Sequence, residues 1–156
     1  MRIASTQYTL SSKTLEIYVA GCKANPHCED CHNSEIWDFN NGEILDDAYY
    51  KKIESKINKF NDIIDNIWIL GGEPLDQDIK ELIKLCIFLK TFGKKIWLFT
   101  RFDLDEVPKD VIKYFDYVKT GRYLPKYKPK TDNSHKEYGV VLATTNQHIY
   151  KRGKDY

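Results

Sequence analysis

Four short apolar runs, each opening into a glycine or polar loop, limit what this 156-residue chain can fold into. They are Leu15–Ala20 before Gly21-Cys22, Asn66–Leu70 before Gly71-Gly72, Lys95–Phe99 before Thr100, and Asp116–Lys119 before Thr120-Gly121. Rich in β-branched and aromatic residues, they read as buried strands, because such side chains suit a pleated, covered surface. Amphipathic helices fall between them. Tyr49, Ile53, Ile57 and Phe60 recur at helical spacing behind a cap at Asp46 or Asp47. Ile79, Leu82, Ile83, Cys86 and Leu89 form a second stripe, opened by Asp76 or Asp78 and stopped by Gly93. Pro108–Phe115 reads as a shorter third helix with Pro108 in its first turn. Ile3–Tyr8 is expected to form a hairpin with Leu15–Ala20, and Val140–Ala143 and His148–Tyr150 to be terminal strands.

Strand–helix–strand alternation predicts an α/β fold with a mostly parallel sheet and helices packed on it. The loops of interest all leave the C-terminal ends of strands, where such sheets hold ligands. A closed eight-unit barrel takes about 250 residues. Any barrel here is therefore partial and open at the side. A single domain spanning 1–156 is expected, and hydrophobic residues at 42% are enough for a core. Lys+Arg (24) nearly balances Asp+Glu (23), so nothing favours a nucleic acid or a charged membrane surface as partner. The first residues lack the apolar stretch of a signal peptide and no run is long enough to span a bilayer. A cytoplasmic chain with reduced thiols is the expectation.

Three cysteines crowd the loop over 21–33: Cys22, Cys28 and Cys31. Thiolates this close can converge on one metal centre. Structural zinc, completed by His27 or His32, and an iron–sulfur cluster with one iron left open account for this loop equally well. The turn over 71–74, Gly71-Gly72-Glu73-Pro74, favours the second. Bare glycine backbone can touch a ligand, and Glu73 can accept from an ammonium group, which suits a free amino acid moiety. Zinc gives no reason for such a turn. Cys86, on an apolar helical stripe, reads as a small buried hydrophobe. His135 and His148 carry no partner pattern and are read as non-functional, and the basic segment Arg122–Lys130 as a solvated loop.

Several segments together resemble the radical S-adenosylmethionine (SAM) family, and within it the activating enzymes of anaerobic ribonucleoside-triphosphate reductase. They are Gly21-Cys22, Cys28-Glu-Asp-Cys31-His32-Asn33 with Trp37-Asp38, Gly71-Gly72-Glu73-Pro74, Trp97–Thr100, Asp116–Tyr123 and Thr144-Thr145-Asn146-Gln147. The resemblance implies a partial barrel of the radical SAM type and a 4Fe-4S cluster on Cys22, Cys28 and Cys31. It implies SAM bound through its amino and carboxylate groups, with Gly71, Gly72 and Glu73 at the amino end, Asp30 and His32 along the adenosyl part, and Thr100 as a further contact. The implied chemistry is reductive SAM cleavage, giving an adenosyl radical that takes the α-hydrogen of a glycine in the large reductase. A flavodoxin or ferredoxin is the implied electron donor. Two positions depart from the family pattern: the first cysteine gap is five residues rather than three, and Thr120 stands where Asp is common. The competing readings are a radical SAM enzyme acting on a small molecule and, from another class, a non-catalytic zinc-binding module.

Overall fold

The structure, a computed structural model, describes residues 1–131 and 134–156. Nine strands occur among these residues: β1 Arg2–Thr9, β2 Thr14–Val19, β3 Glu43–Ile44, β4 Asn66–Gly71, β5 Lys95–Phe99, β6 Tyr117–Thr120, β7 Lys136–Glu137, β8 Val140–Val141 and β9 His148–Lys151. The α-helices are α1 Asp47–Lys59, α2 Ile79–Lys90 and α3 Lys109–Ile112. Asp46 caps α1 by accepting from the Tyr49 N–H, and Asp78 caps α2 by accepting from Lys80 and Glu81. Asp76 is thereby released for another task. The third helix is only one turn long, with Pro108 before it rather than within it.

Seven strands form one sheet in the order β3-β1-β2-β4-β5-β6-β9. It is parallel only at its centre, across β2, β4, β5 and β6. β1 pairs antiparallel with β2 in the expected hairpin, and β3 and β9 also join antiparallel. The sheet is thus mixed, where alternation alone predicted a mostly parallel one. Two-residue β3 carries no periodicity long enough to read. β7 and β8 make a separate small hairpin.

Alternation along the central strands divides the molecule into two unequal sides. Leu15, Ile17, Val19, Ile67, Ile69, Ile96, Leu98 and Val118 point to one face, where they bury against Ile53 and Ile57 of α1, Leu82, Leu85 and Leu89 of α2, and Val111 of α3. All three helices lie in this layer. Full burial of each such aliphatic side chain contributes about 1.5–3 kcal/mol, so truncating Ile69 to alanine would cost roughly 2–5 kcal/mol. The opposite face carries no α-helix among the described residues. It holds a smaller cluster around Trp97, Leu142 and Ile149, with Trp68, Phe99 and Tyr117 packed on it. Among the described residues no helix is long and apolar enough to cross a membrane.

Candidate functional site

The cysteine loop and the glycine turn leave neighbouring parallel strands, and their backbones continue the pairing beyond the sheet. Gly72 N donates to Val19 O at 2.9 Å and Glu73 N to Gly21 O at 2.8 Å. Approach is so close that a Cβ on Gly72 would sit 2.2 Å from Gly21 O, while Gly71 adopts φ +115° against the Val19 backbone. Both glycines are therefore required by the adjacent strand, whatever the turn binds. Buried Gln77 stitches the loops further, donating to Ala20 O at 2.9 Å and to Glu73 O at 3.2 Å. Asn33 donates to Gly71 O at 3.0 Å.

Glu73 is 1% exposed, and three donors meet its carboxylate. Oε1 accepts from Leu75 N at 3.0 Å and from the Thr100 hydroxyl at 2.8 Å, and Oε2 accepts from Arg101 N at 2.8 Å. Burial raises its pKa, and these donors, with the Arg101 charge, pull the other way. Arg101 in turn grips Asp76 at 3.0 Å, and Asp76 accepts from Lys23 N at 2.6 Å inside the cysteine loop. One partly buried ion pair thus ties the end of β5 to both loops. Arg101 Nε has no oxygen or nitrogen hydrogen-bond partner among the described residues, and its guanidinium lies against the Cys22 thiol. Burial pushes that thiol's pKa up, opposed by the Ala24 N–H and by Arg101. Lys119 enters from β6; burial lowers its pKa to about 8, against the raising effect of Glu73 and Cys28.

These groups surround a cavity of about 300 Å³ on the helix-free face. Cys22, Cys28, Cys31, His32, Gly71, Gly72, Glu73 and Thr100 all line it. Of the residues expected to hold the cluster or SAM, Asp30 alone stays outside: it is exposed, with φ +52°, and is not part of the wall. Leu70, Phe99 and Leu142 make the wall's apolar part. Lys119 and Tyr123, from the family-like segment Asp116–Tyr123, also face the cavity, as does Arg101, which no motif includes. Arg101 directly follows Thr100 at a strand end, so its position is a usable signal, and Lys119 precedes Thr120, the position that departs from the family pattern. His27 stacks on Trp37 at 3.9 Å between centroids, with Nε2 3.1 Å from Cys22 O. Cys86 is fully buried on the inner face of α2, its thiol pushed up to about 12 by burial, as befits a core residue.

The spacing of the thiols bears on what they hold. Tetrahedral zinc with Zn–S bonds near 2.3 Å needs sulfurs about 3.8 Å apart. Among the described residues, the group of three or more ligand side chains whose donor atoms all fall within 4.8 Å of one another is elsewhere, at His135, Glu137 and His148. Cys22, Cys28 and Cys31 share one cavity wall with the glycine turn. Three thiols at the edge of an open volume suit an iron–sulfur cluster with free space beyond it.

Residues 13–142 match the family described as a 4Fe-4S single cluster domain. The anaerobic ribonucleoside-triphosphate reductase-activating protein of enterobacteria phage T4 is 30% identical over 111 residues, covering 69% of each chain. The protein of the same name from Escherichia coli K12 is 29% identical over 105 residues, 65% of this chain and 67% of its own. That of Haemophilus influenzae is 25% identical over 114 residues, 69% of this chain and 72% of its own. The chain belongs to the 4Fe-4S single cluster family, in the branch of the anaerobic ribonucleoside-triphosphate reductase-activating proteins.

Proposed function

We propose that this chain is a radical SAM activase that installs a glycyl radical on an anaerobic ribonucleoside-triphosphate reductase. The observation that carries this reading is the convergence of Cys22, Cys28 and Cys31 with the Gly71-Gly72-Glu73 turn on one cavity. Cys22, Cys28 and Cys31 would hold the 4Fe-4S cluster. When bound, the cluster supplies one electron that cleaves SAM to methionine and an adenosyl radical, which removes the α-hydrogen of a reductase glycine.

The protein's own part is to bind, orient and keep dry. Glu73, held by Thr100, Leu75 and Arg101, has one Oε2 lone pair left for the SAM ammonium group. Thr100 acts by aiming that carboxylate rather than by reaching the ligand itself. The Arg101 guanidinium and the Lys119 ammonium place positive charge beside the cluster thiolates and offset part of their charge. Leu70, Phe99 and Leu142 exclude water, which a primary carbon radical requires. His32, edge-on to Tyr123 with centroids 6.0 Å apart, borders the expected adenosyl side. Asp30 would reach it only if the loop rearranged around the cluster.

We also read the central strands as part of a barrel. Helices on one face alone match a barrel wall, whereas a doubly wound sheet is covered on both. A barrel left open at the side admits a loop of a large partner. Electrons would come from a flavodoxin or ferredoxin in the reducing interior of the cell. The test is anaerobic mixing of reconstituted protein, SAM and dithionite with the reductase, followed by electron paramagnetic resonance. A glycyl doublet on the reductase is expected. SAM turnover with no protein-borne radical would favour a small-molecule substrate instead.

A further inference from the structure

His135, Glu137 and His148 come from opposite sides of a chain reversal, yet their donor atoms all lie within 4.8 Å of one another. We propose that they form a second metal site, independent of the cysteine loop, for a zinc-class divalent ion that staples the β7–β8 hairpin to edge strand β9. Two imidazoles and one carboxylate are the donor set that such borderline ions select.

The surroundings are arranged for ligation. His135 Nε2 lies 2.9 Å from Gln147 O. A carbonyl only accepts, so Nε2 carries the proton and Nδ1 presents a free lone pair. This is the outer hydrogen bond that metal-binding histidines characteristically make. Glu137 Oε2 accepts from Ile149 N, 2.6 Å away, which anchors the carboxylate on β9, while Oε1 lies 3.1 Å from His148 Nδ1. The two imidazole rings stand nearly perpendicular, at 88°, with centroids 6.0 Å apart, leaving room between them. His148 is 49% exposed at its side chain and Glu137 27%, so water has access to complete the coordination. An open groove of about 450 Å³ bordered by Glu137, His148 and Asp155 provides an entry path.

The consequence of the staple lies in the cavity wall. His135 O accepts from Leu142 N at 2.9 Å, and its ring is bound to the Gln147 backbone. Leu142 and Gln147 both line the cavity between the cysteine loop and the glycine turn. An ion here would fix that wall without touching the cluster.

The test uses the full chain with its cluster in place and zinc chloride as the probe, read by equilibrium dialysis and elemental analysis. The wild-type chain is expected to retain one zinc, and the H135A/H148A double variant none, with iron content equal in the two. Because removing His135 also frees the Gln147 carbonyl, Glu137→Gln is the second variant: it keeps an acceptor for Ile149 N and should bind zinc about tenfold or more weakly. Zinc should also slow proteolysis within 134–147 in the wild type and not in Glu137→Gln. Equal zinc retention and equal protection across wild type and variants would overturn the proposal.

Discussion

Around Glu73 each polar group is answered by another part of the chain, whereas the cysteine loop is held by backbone bonds at its root and by side-chain contacts beyond it, from Arg122 to Pro26 O and from His27 to Trp37. The carboxylate, the N–H and the carbonyl of Glu73 all have partners, drawn from the end of β2, from Gln77 and from the end of β5. The loop is held by Gly21 N to Ile36 O, by Cys22 N to Trp37 O and by Lys23 N to Asp76. Beyond that point, none of the backbone hydrogen bonds among the described residues is donated from 25–32. Cys22, Cys28 and Cys31 are each half-buried. The difference separates two ways of making a site. The glycine turn is finished by folding alone. The cysteine loop is a set of donors whose final arrangement is completed by what it binds, so that binding energy also orders the loop.

Substitutions should split along this line. The largest effect is expected at the cysteines: Cys28→Ala or Cys31→Ala should leave less than one iron per chain, against the four of the family's cluster, after anaerobic reconstitution. The cluster-free fold should barely notice, with urea unfolding within about 0.5 kcal/mol of wild type. A marked loss of cluster-free stability would mean that the loop is structured before it binds.

Gly72→Ala should behave in the opposite way. Its Cβ would land 2.2 Å from Gly21 O, so strand and loop must part. A loss of roughly 2–3 kcal/mol in the cluster-free protein is expected from overpacking. Glu73→Gln comes next. It turns an amide group toward Leu75 N, Arg101 N or the Thr100 hydroxyl, and leaving one buried donor unmet costs about 1–3 kcal/mol. Both are read by urea unfolding without cluster, and an unchanged midpoint in either would show that the turn is not preformed.

The smallest effect is at Lys119, whose pKa in the fold is about 8 against 10.5 ordinarily. Between those values the unfolded chain holds more protons than the folded one, so stability rises with pH across that window. Below pH 8 the full cost of the buried charge is present. Lys119→Met should therefore be more stable than wild type at pH 7 by about 1 kcal/mol after allowance for solvent screening. The gap should close as pH approaches 10.5. Thermal melts of both proteins from pH 7 to 10.5 check this, and a gap that widens would reverse the assignment.

Local signals made the strands and their loops legible. Each of the four runs forms a strand, with only Ala20 and Asp116 falling just outside, and Cys22, Cys28, Cys31 and the glycine turn do meet at one cavity. What escaped was set by distance along the chain. Asp76 read as a helix cap, yet it pairs with Arg101, 25 positions on, and with Lys23, 53 positions back. Two acidic residues near a helix start look alike in sequence, and only the folded neighbour tells them apart. His135 and His148 lacked any local pattern because the antiparallel pairing of β6 with β9, and the hairpin beside it, brings them together. The terminal strand was legible, since His148–Tyr150 falls within β9, whereas β3 is two residues long and shows no periodicity.

The most direct measurement of the central claim is 5′-deoxyadenosine formed from SAM by the dithionite-reduced, anaerobically reconstituted protein. The account predicts product from the wild type and none from Cys22→Ala, Cys28→Ala or Cys31→Ala. Wild-type levels of deoxyadenosine from any one of the three would contradict it.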